Sequence, residues 1–96
     1  MATNTQIQRI KYYELVLDKL TETVKDLNAA IEAFENAEPM IKELSDYYGS
    51  RQWKKDFADD EAGLLPKDLK RGVLSEDAVY DLLDAVRELK EILGIE

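Results

Sequence analysis

Residues 10–34, IKYYELVLDKLTETVKDLNAAIEAF, carry the pattern that decides the fold. Apolar side chains recur there at alternating spacings of three and four residues. We call these eight residues the seam: Ile10, Tyr13, Leu17, Leu20, Val24, Leu27, Ile31 and Phe34. Such spacing is the a/d repeat of a heptad, which places one apolar row along an α-helix. The segment is therefore predicted to be one long helix.

The residues around the seam indicate where the helix begins and how it packs. Thr5 and Gln8 have the spacing of a capping box, so we expect the helix to begin near Thr5. Further apolar residues lie beside the seam, at Val16, Ala30, Ala33 and Ala37. A stripe this wide favours the inside of a helical bundle over a two-stranded coiled coil.

The predicted length of this helix is large for so short a chain. A helix over residues 6–36 would extend ~46 Å, whereas a globule of this size has a radius of gyration of only ~12–13 Å. The molecule is therefore expected to be elongated or to pair with another copy through its first helix.

Proline, glycine and serine divide the middle of the chain. Pro39 has no amide hydrogen, so it predicts either a kink or a break with Pro39 in the first turn of a second helix. That second helix is expected to end at Tyr48, with Gly49 in the left-handed conformation. Ser50 is then the predicted cap of a short third helix, which carries Trp53 and ends before Gly63.

A connector over residues 62–75 precedes the last helix. Its segment 66–72, PKDLKRG, is typical of one helical turn that begins with proline and ends before glycine. Ser75 is the predicted cap of the last helix, and Gly94 suits a Schellman ending. One apolar stripe is predicted on that helix, formed by Val79, Leu82, Leu83, Val86, Leu89 and Leu93.

These elements predict one all-α domain over residues 1–96: an elongated helical hairpin or bundle with a long N-terminal helix, shorter return helices and a C-terminal helix. Lys and Arg number 13 against 21 Asp and Glu, for a net charge of −8. The chain has no histidine and no cysteine, which excludes Ser-His-Asp and Cys-His triads and zinc sites with nitrogen or sulfur ligands. No leader or membrane span is apparent, so we expect a cytoplasmic protein.

Two groups of acidic residues are candidate metal ligands. The cluster Asp56, Asp59, Asp60 and Glu61 lies near Gly63, but an EF-hand loop in that register would have Ala58 and Leu69 where oxygen ligands are needed. Two Glu-x-x-Glu pairs, at 32 and 35 and at 88 and 91, lack the histidine of the usual di-metal motif. The glycines do not form a phosphate-binding spacing. We therefore expect no catalytic residue, no metal and no cofactor.

Two groups of residues are candidates for partner binding. Lys67, Lys70 and Arg71 form a basic island in an acidic chain, and they either dock an acidic partner or pair with the neighbouring acidic helix. Tyr47 and Tyr48 join Trp53 as aromatic residues suited to an interface, although packing in the core is the favoured role. Direct nucleic-acid binding is not expected at this net charge.

The chain resembles a known family over about residues 6–93, of which residues 47–83 are the distinctive part. The similarity lies in YYGS at 47–50, Trp53, DEAG at 60–63, LPKDLKRGVLSEDA at 65–78 and YDLL at 80–83. The family consists of short bacterial proteins classed as a domain of unknown function. The resemblance implies a small cytosolic helical hairpin, with no established activity, cofactor or site.

Three hypotheses for function follow. The leading one is a non-enzymatic module that binds another protein, with homodimerisation through the first helix as one form. An alternative is an acidic mimic of nucleic acid, in which carboxylates stand in for phosphates along Asp77, Asp81, Asp84, Glu88 and Glu91. A second alternative is a metal-binding protein or enzyme that uses carboxylates alone.

Overall fold

The computed structural model describes residues 1–95 and is all-helical over that range. Its helices are α1 (Asn4–Asn36), α2 (Glu38–Tyr48), α3 (Arg51–Glu61) and α4 (Glu76–Leu93), with a 3-10 helix at Gly72–Leu74. No strand occurs among these residues, which confirms the all-α class. The chain divides into two compact units, Met1–Glu38 and Pro39–Glu96. A single domain over residues 1–96 stays a prediction.

Helix α1 begins at Asn4, close to the predicted start, but its cap lies two residues earlier than predicted. Its cap is Thr3, whose hydroxyl oxygen accepts a 3.1 Å hydrogen bond from the amide of Gln6. The expected cap at Thr5 was wrong, because Thr3 and Gln6 repeat the spacing of Thr5 and Gln8 and the earlier pair extends the helix. No residue of α1 is buried.

The sequence left two possibilities at Pro39, and the structure shows the break. α1 ends at Asn36, Ala37 forms a turn, and α2 begins at Glu38. Pro39 therefore lies in the first turn of α2, where a missing amide hydrogen leaves no helical bond unmade.

None of the helices within residues 1–95 is long and apolar enough to cross a membrane.

The corner between α2 and α3 depends on Ser50. Its hydroxyl donates a 2.6 Å bond to the carbonyl of Tyr47 and accepts a 3.1 Å bond from the amide of Trp53, so the predicted cap is confirmed. The predicted left-handed conformation of Gly49 was wrong: its φ is not positive. Because Ser50 satisfies the carbonyl at the end of α2, the corner does not need a left-handed residue.

Helix α3 ends before Gly63, as the sequence predicted. Gly63 has a φ of 73°, and its amide donates to the carbonyl of Asp60 at 3.0 Å. The amide of Leu64 donates to Asp59 at 3.0 Å, which completes a Schellman ending for α3. Glycine suits this position because a left-handed backbone is strained for other L-residues.

The single helical turn predicted over residues 66–72 is not present. A turn closes where the amide of Leu69 donates to the carbonyl of Pro66 at 3.2 Å, and Gly72 then begins the 3-10 helix instead of ending a turn. The reason lies in Arg71, whose side chain donates to the carbonyls of Pro66 and Leu69. These side-chain bonds order the loop without a regular helix.

Helix α4 has both predicted ends. The hydroxyl of Ser75 accepts from the amide of Ala78 at 3.3 Å. At the other end Gly94 has a φ of 70°, and the amide of Ile95 donates a 2.8 Å bond back into the last turn. The acidic residues of the first turn and the basic residue of the last turn complement the helix dipole.

The apolar stripe predicted on α4 was correct only in part. Val79 and Val86 are 4% and 9% exposed, and with Trp53 and Leu74 they form the buried core. Leu82 and Leu89 are instead 53% and 45% exposed. α4 packs against the 3-10 helix, so the position of that short element decides which side of α4 is buried. Spacing along α4 alone could not show this.

Candidate functional site

Trp53 lies at the centre of the second unit. The residue is 7% exposed, and its indole nitrogen donates a 2.9 Å hydrogen bond to the carbonyl of Val73. Its ring lies 5.1 Å from Tyr48 in an edge-to-face arrangement and 5.2 Å from Phe57 in a stacked one. Trp53, a candidate for partner binding, is therefore buried where α3 meets the 3-10 helix.

The two adjacent tyrosines of α2 are half-buried and make different hydrogen bonds. The hydroxyl of Tyr47 donates to a carboxylate oxygen of Asp56 at 2.6 Å. That bond, together with burial and the negative charge of Asp56, raises the pKa of Tyr47 above its ordinary value of 10.0. The hydroxyl of Tyr48 donates to the carbonyl of Glu76 at 3.3 Å. The phenol of Tyr47 therefore connects α2 to α3, and the phenol of Tyr48 connects α2 to the first turn of α4.

The basic island separates into one half-buried and two exposed residues. Arg71 forms an ion pair with Asp60 and donates to the carbonyl of Pro66 at 2.6 Å. Lys67 and Lys70 are exposed, and no ion pair within residues 1–95 involves them. The structural alternative therefore applies to Arg71, although its partner lies at the end of α3 and not on α4. Because the two lysines are exposed and have no ion pair in the described part of the chain, they are accessible to an acidic partner. Docking at this island stays a prediction.

Near this island the second unit has an open hollow of about 290 Å³. It is lined by Tyr47, Asp56, Leu65, Leu69, Lys70, Val73 and Leu74. The lining is mostly apolar, with one lysine and one carboxylate that already accepts from a phenol. This arrangement offers an apolar contact surface beside the hydrogen-bonded pair Tyr47 and Asp56.

The three aspartates of α3 are occupied by neighbouring donors. Asp56 accepts from Tyr47, Asp59 pairs with Lys55 at 2.9 Å, and Asp60 pairs with Arg71. Within the described residues no three carboxylates come together in a way that could hold a metal ion.

The first unit presents a different kind of surface. Six seam residues are 53–60% exposed, namely Ile10, Tyr13, Leu17, Leu20, Val24 and Leu27. The last two, Ile31 and Phe34, are half-buried. A continuous apolar row of this length is unusual on a protein surface. The spacing of these residues predicted the row, and in the structure six of its eight members are exposed.

A second exposed row lies on α4 and was missed by the sequence analysis. Leu82 and Leu89 are joined there by Ile92, which is 78% exposed. The spacing of Leu82, Leu89 and Ile92 places them on one face of α4. Because Leu82 and Leu89 were predicted to be buried, this face was not recognised as an exposed apolar row.

Comparison with known proteins identifies the family. Residues 10–93 match the sequence profile of a family described as a domain of unknown function, DUF4298. The chain belongs to this family. Membership confirms the resemblance seen in the signature around residues 47–83. No curated protein and no solved structure matches the chain.

Proposed function

We propose that this member of DUF4298 is a non-enzymatic, cytoplasmic protein-interaction module whose first helix pairs with the first helix of a second copy. The observation that carries the proposal is the seam of α1, an apolar heptad row with six residues more than half exposed. The proposal that it is not an enzyme is supported by the absence of histidine and cysteine from the sequence.

The residue types of the seam favour packing against the seam of a second copy of the chain, with the two helices parallel. The a positions are Ile10, Leu17, Val24 and Ile31, and the d positions are Tyr13, Leu20, Leu27 and Phe34. The width of the stripe alone favours a bundle, but six seam residues of α1 are exposed, and β-branched residues at a with leucine at d favour parallel two-stranded coiled coils. Three of the four a positions are β-branched and two of the four d positions are leucine. In a parallel pair each seam residue packs against the same residue of the second copy. The seam of this one chain can therefore form both halves of the interface.

The charges beside the seam agree with this orientation. Arg9 is a g position and Glu14 is the e position of the following heptad. A parallel pair places Arg9 next to Glu14 of the second copy, twice by symmetry. Neither residue has an ion pair within the described part of the chain, so both are available for this contact.

The size of the surface is also sufficient. The seam extends over ~36 Å of helix, from residue 10 to residue 34. A stable interface buries about 800 Å² on each partner, and eight apolar side chains along such a length provide an area of that order. The flanking Val16 and the alanines beside the seam widen the contact.

Sedimentation equilibrium of the full chain tests the proposal. We expect a concentration-dependent dimer that Leu20→Lys weakens at least tenfold, whereas Leu15→Lys changes little because Leu15 is 69% exposed and lies outside the seam. Salt should not weaken the dimer, because screening the repulsion between two copies of charge −8 outweighs the loss at the two exposed Arg9–Glu14 pairs. A monomer at all concentrations would overturn the proposal. Salt-sensitive capture of basic nucleic-acid-binding proteins would instead support the acidic mimic.

A further inference from the structure

Helix α4 has two apolar faces, of which its own unit buries one. Val79 and Val86 form the buried face. On the adjoining side lies a row that we call the outer row: Ala78, Leu82, Ala85, Leu89 and Ile92. All five residues are exposed, and the leucines and Ile92 are 45–78% exposed.

The outer row has the geometry of a helix-binding surface. Its residues follow one another at spacings of four, three, four and three, the heptad pattern of a coiled-coil face. The row extends over ~21 Å, or about four helical turns. A surface of this shape accepts the apolar side of another helix, which buries residues at i, i+3, i+4 and i+7.

Charge distinguishes the two edges of the outer row. One edge joins the buried face of α4 at Val79 and Val86. Along the other edge run five acidic residues: Asp77, Asp81, Asp84, Glu88 and Glu91. Of these only Asp84 has an ion pair within residues 1–95, an exposed 3.5 Å contact with Arg87. The acidic edge is therefore available to a partner.

We infer that the outer row binds an amphipathic helix of another protein, with apolar residues at heptad spacing and lysine or arginine along one edge. The apolar row supplies the buried area, and the acidic edge fixes the orientation of the incoming helix and excludes acidic helices. A second copy fits less well, because the seam of α1 is flanked by one basic residue, Arg9, against two acidic ones, Glu14 and Glu35. The outer row and the seam lie on different helices, so either proposal can fail without the other.

Calorimetry with designed peptides tests the inference. The probe is a helical peptide of about four turns with leucine at the a and d positions and lysine along one edge. The control peptide has glutamate in place of each lysine. We expect the lysine peptide to bind the full chain at least tenfold more tightly than the glutamate peptide, with an affinity that decreases as salt is added.

Variants of the full chain locate the binding. Leu82→Gln with Leu89→Gln should weaken the lysine peptide at least tenfold and leave the melting temperature unchanged. Asp81→Lys with Glu88→Lys should remove the preference for the lysine peptide, and this pair avoids the core. Leu15→Gln is the matched control, since Leu15 is an exposed leucine on α1.

Three results would overturn the inference. Equal weakening by Leu15→Gln would show that the peptide contacts exposed leucines in general and does not bind specifically at the outer row. A preference for the glutamate peptide would contradict the role of the acidic edge. A large decrease in melting temperature for the Leu82 and Leu89 variant would show that the outer row is already covered in the folded protein.

Discussion

The indole nitrogen of Trp53 and the carbonyl oxygen of Val73 lie 2.9 Å apart and are joined by a hydrogen bond. This contact connects residues that are 20 positions apart in the chain. It holds the 3-10 helix against α3, and Leu74, the next residue, is buried at 7% exposure. The core of the second unit therefore depends on a polar bond at its centre as well as on apolar burial.

We expect Trp53→Phe to lower the free energy of unfolding by about 2 kcal/mol. The smaller ring leaves space in the core, and the carbonyl of Val73 loses its donor. Urea unfolding followed by far-UV circular dichroism measures the change. Tyr80→Phe is the control, because Tyr80 is 57% exposed and substitutions at such sites have small effects. Equal stability of Trp53→Phe and wild type would contradict the role assigned to this bond.

The hydrogen bond between Tyr47 and Asp56 predicts a pH dependence of stability. The bond raises the pKa of Tyr47 in the folded state, whereas the unfolded chain loses this proton near the ordinary value of 10.0. The contribution to stability is therefore complete below pH 10.0 and is lost as the pH rises through the raised pKa.

Tyr47→Phe tests this dependence. We expect the variant to be less stable than wild type by about 1 kcal/mol near neutral pH, and the difference to decrease above the ordinary tyrosine pKa. Urea unfolding of the variant and of wild type, at neutral pH and above the ordinary tyrosine pKa, measures this difference in stability. Tyr80→Phe is the matched control, because it removes a phenol without removing this hydrogen bond. A difference that stays constant with pH would argue against the interpretation.

The basic island predicts unequal effects for its members. Arg71→Gln should lower the free energy of unfolding by about 1–2 kcal/mol, because Arg71 pairs with Asp60 and donates to two loop carbonyls. Changing both Lys67 and Lys70 to Gln should alter it by less than about 0.5 kcal/mol. Chemical denaturation compares the two proteins. Equal destabilisation would mean that the lysines also support the connector.

Local chemistry made most helix ends predictable from the sequence. Ser50 and Ser75 cap helices through bonds to residues three positions away, and Gly63 and Gly94 allow left-handed backbones within the same turn. Such interactions involve neighbours in the chain, so their residue types are sufficient to locate them. Thr3 shows the limit, since two overlapping patterns competed for the same cap.

Features that depend on distant residues were not predictable in the same way. The loop that contains Gly72 is ordered by the side chain of Arg71, and Arg71 is itself held by Asp60, 11 residues away. Leu82 and Leu89 fit an apolar stripe by spacing, but the 3-10 helix packs against another side of α4. Spacing indicates which residues share a face, and packing decides which face is buried.

Cysteine cross-linking tests the central claim, the pairing of two α1 seams, most directly. The chain has no cysteine, so single-cysteine variants introduce a single reactive site. In a parallel pair residue 20 faces residue 20 of the second copy, whereas residue 15 points away. In a glutathione redox buffer we expect Leu20→Cys to form a disulfide-linked dimer and Leu15→Cys to stay mostly monomeric. Equal cross-linking of the two variants, or none in either, would contradict the claim.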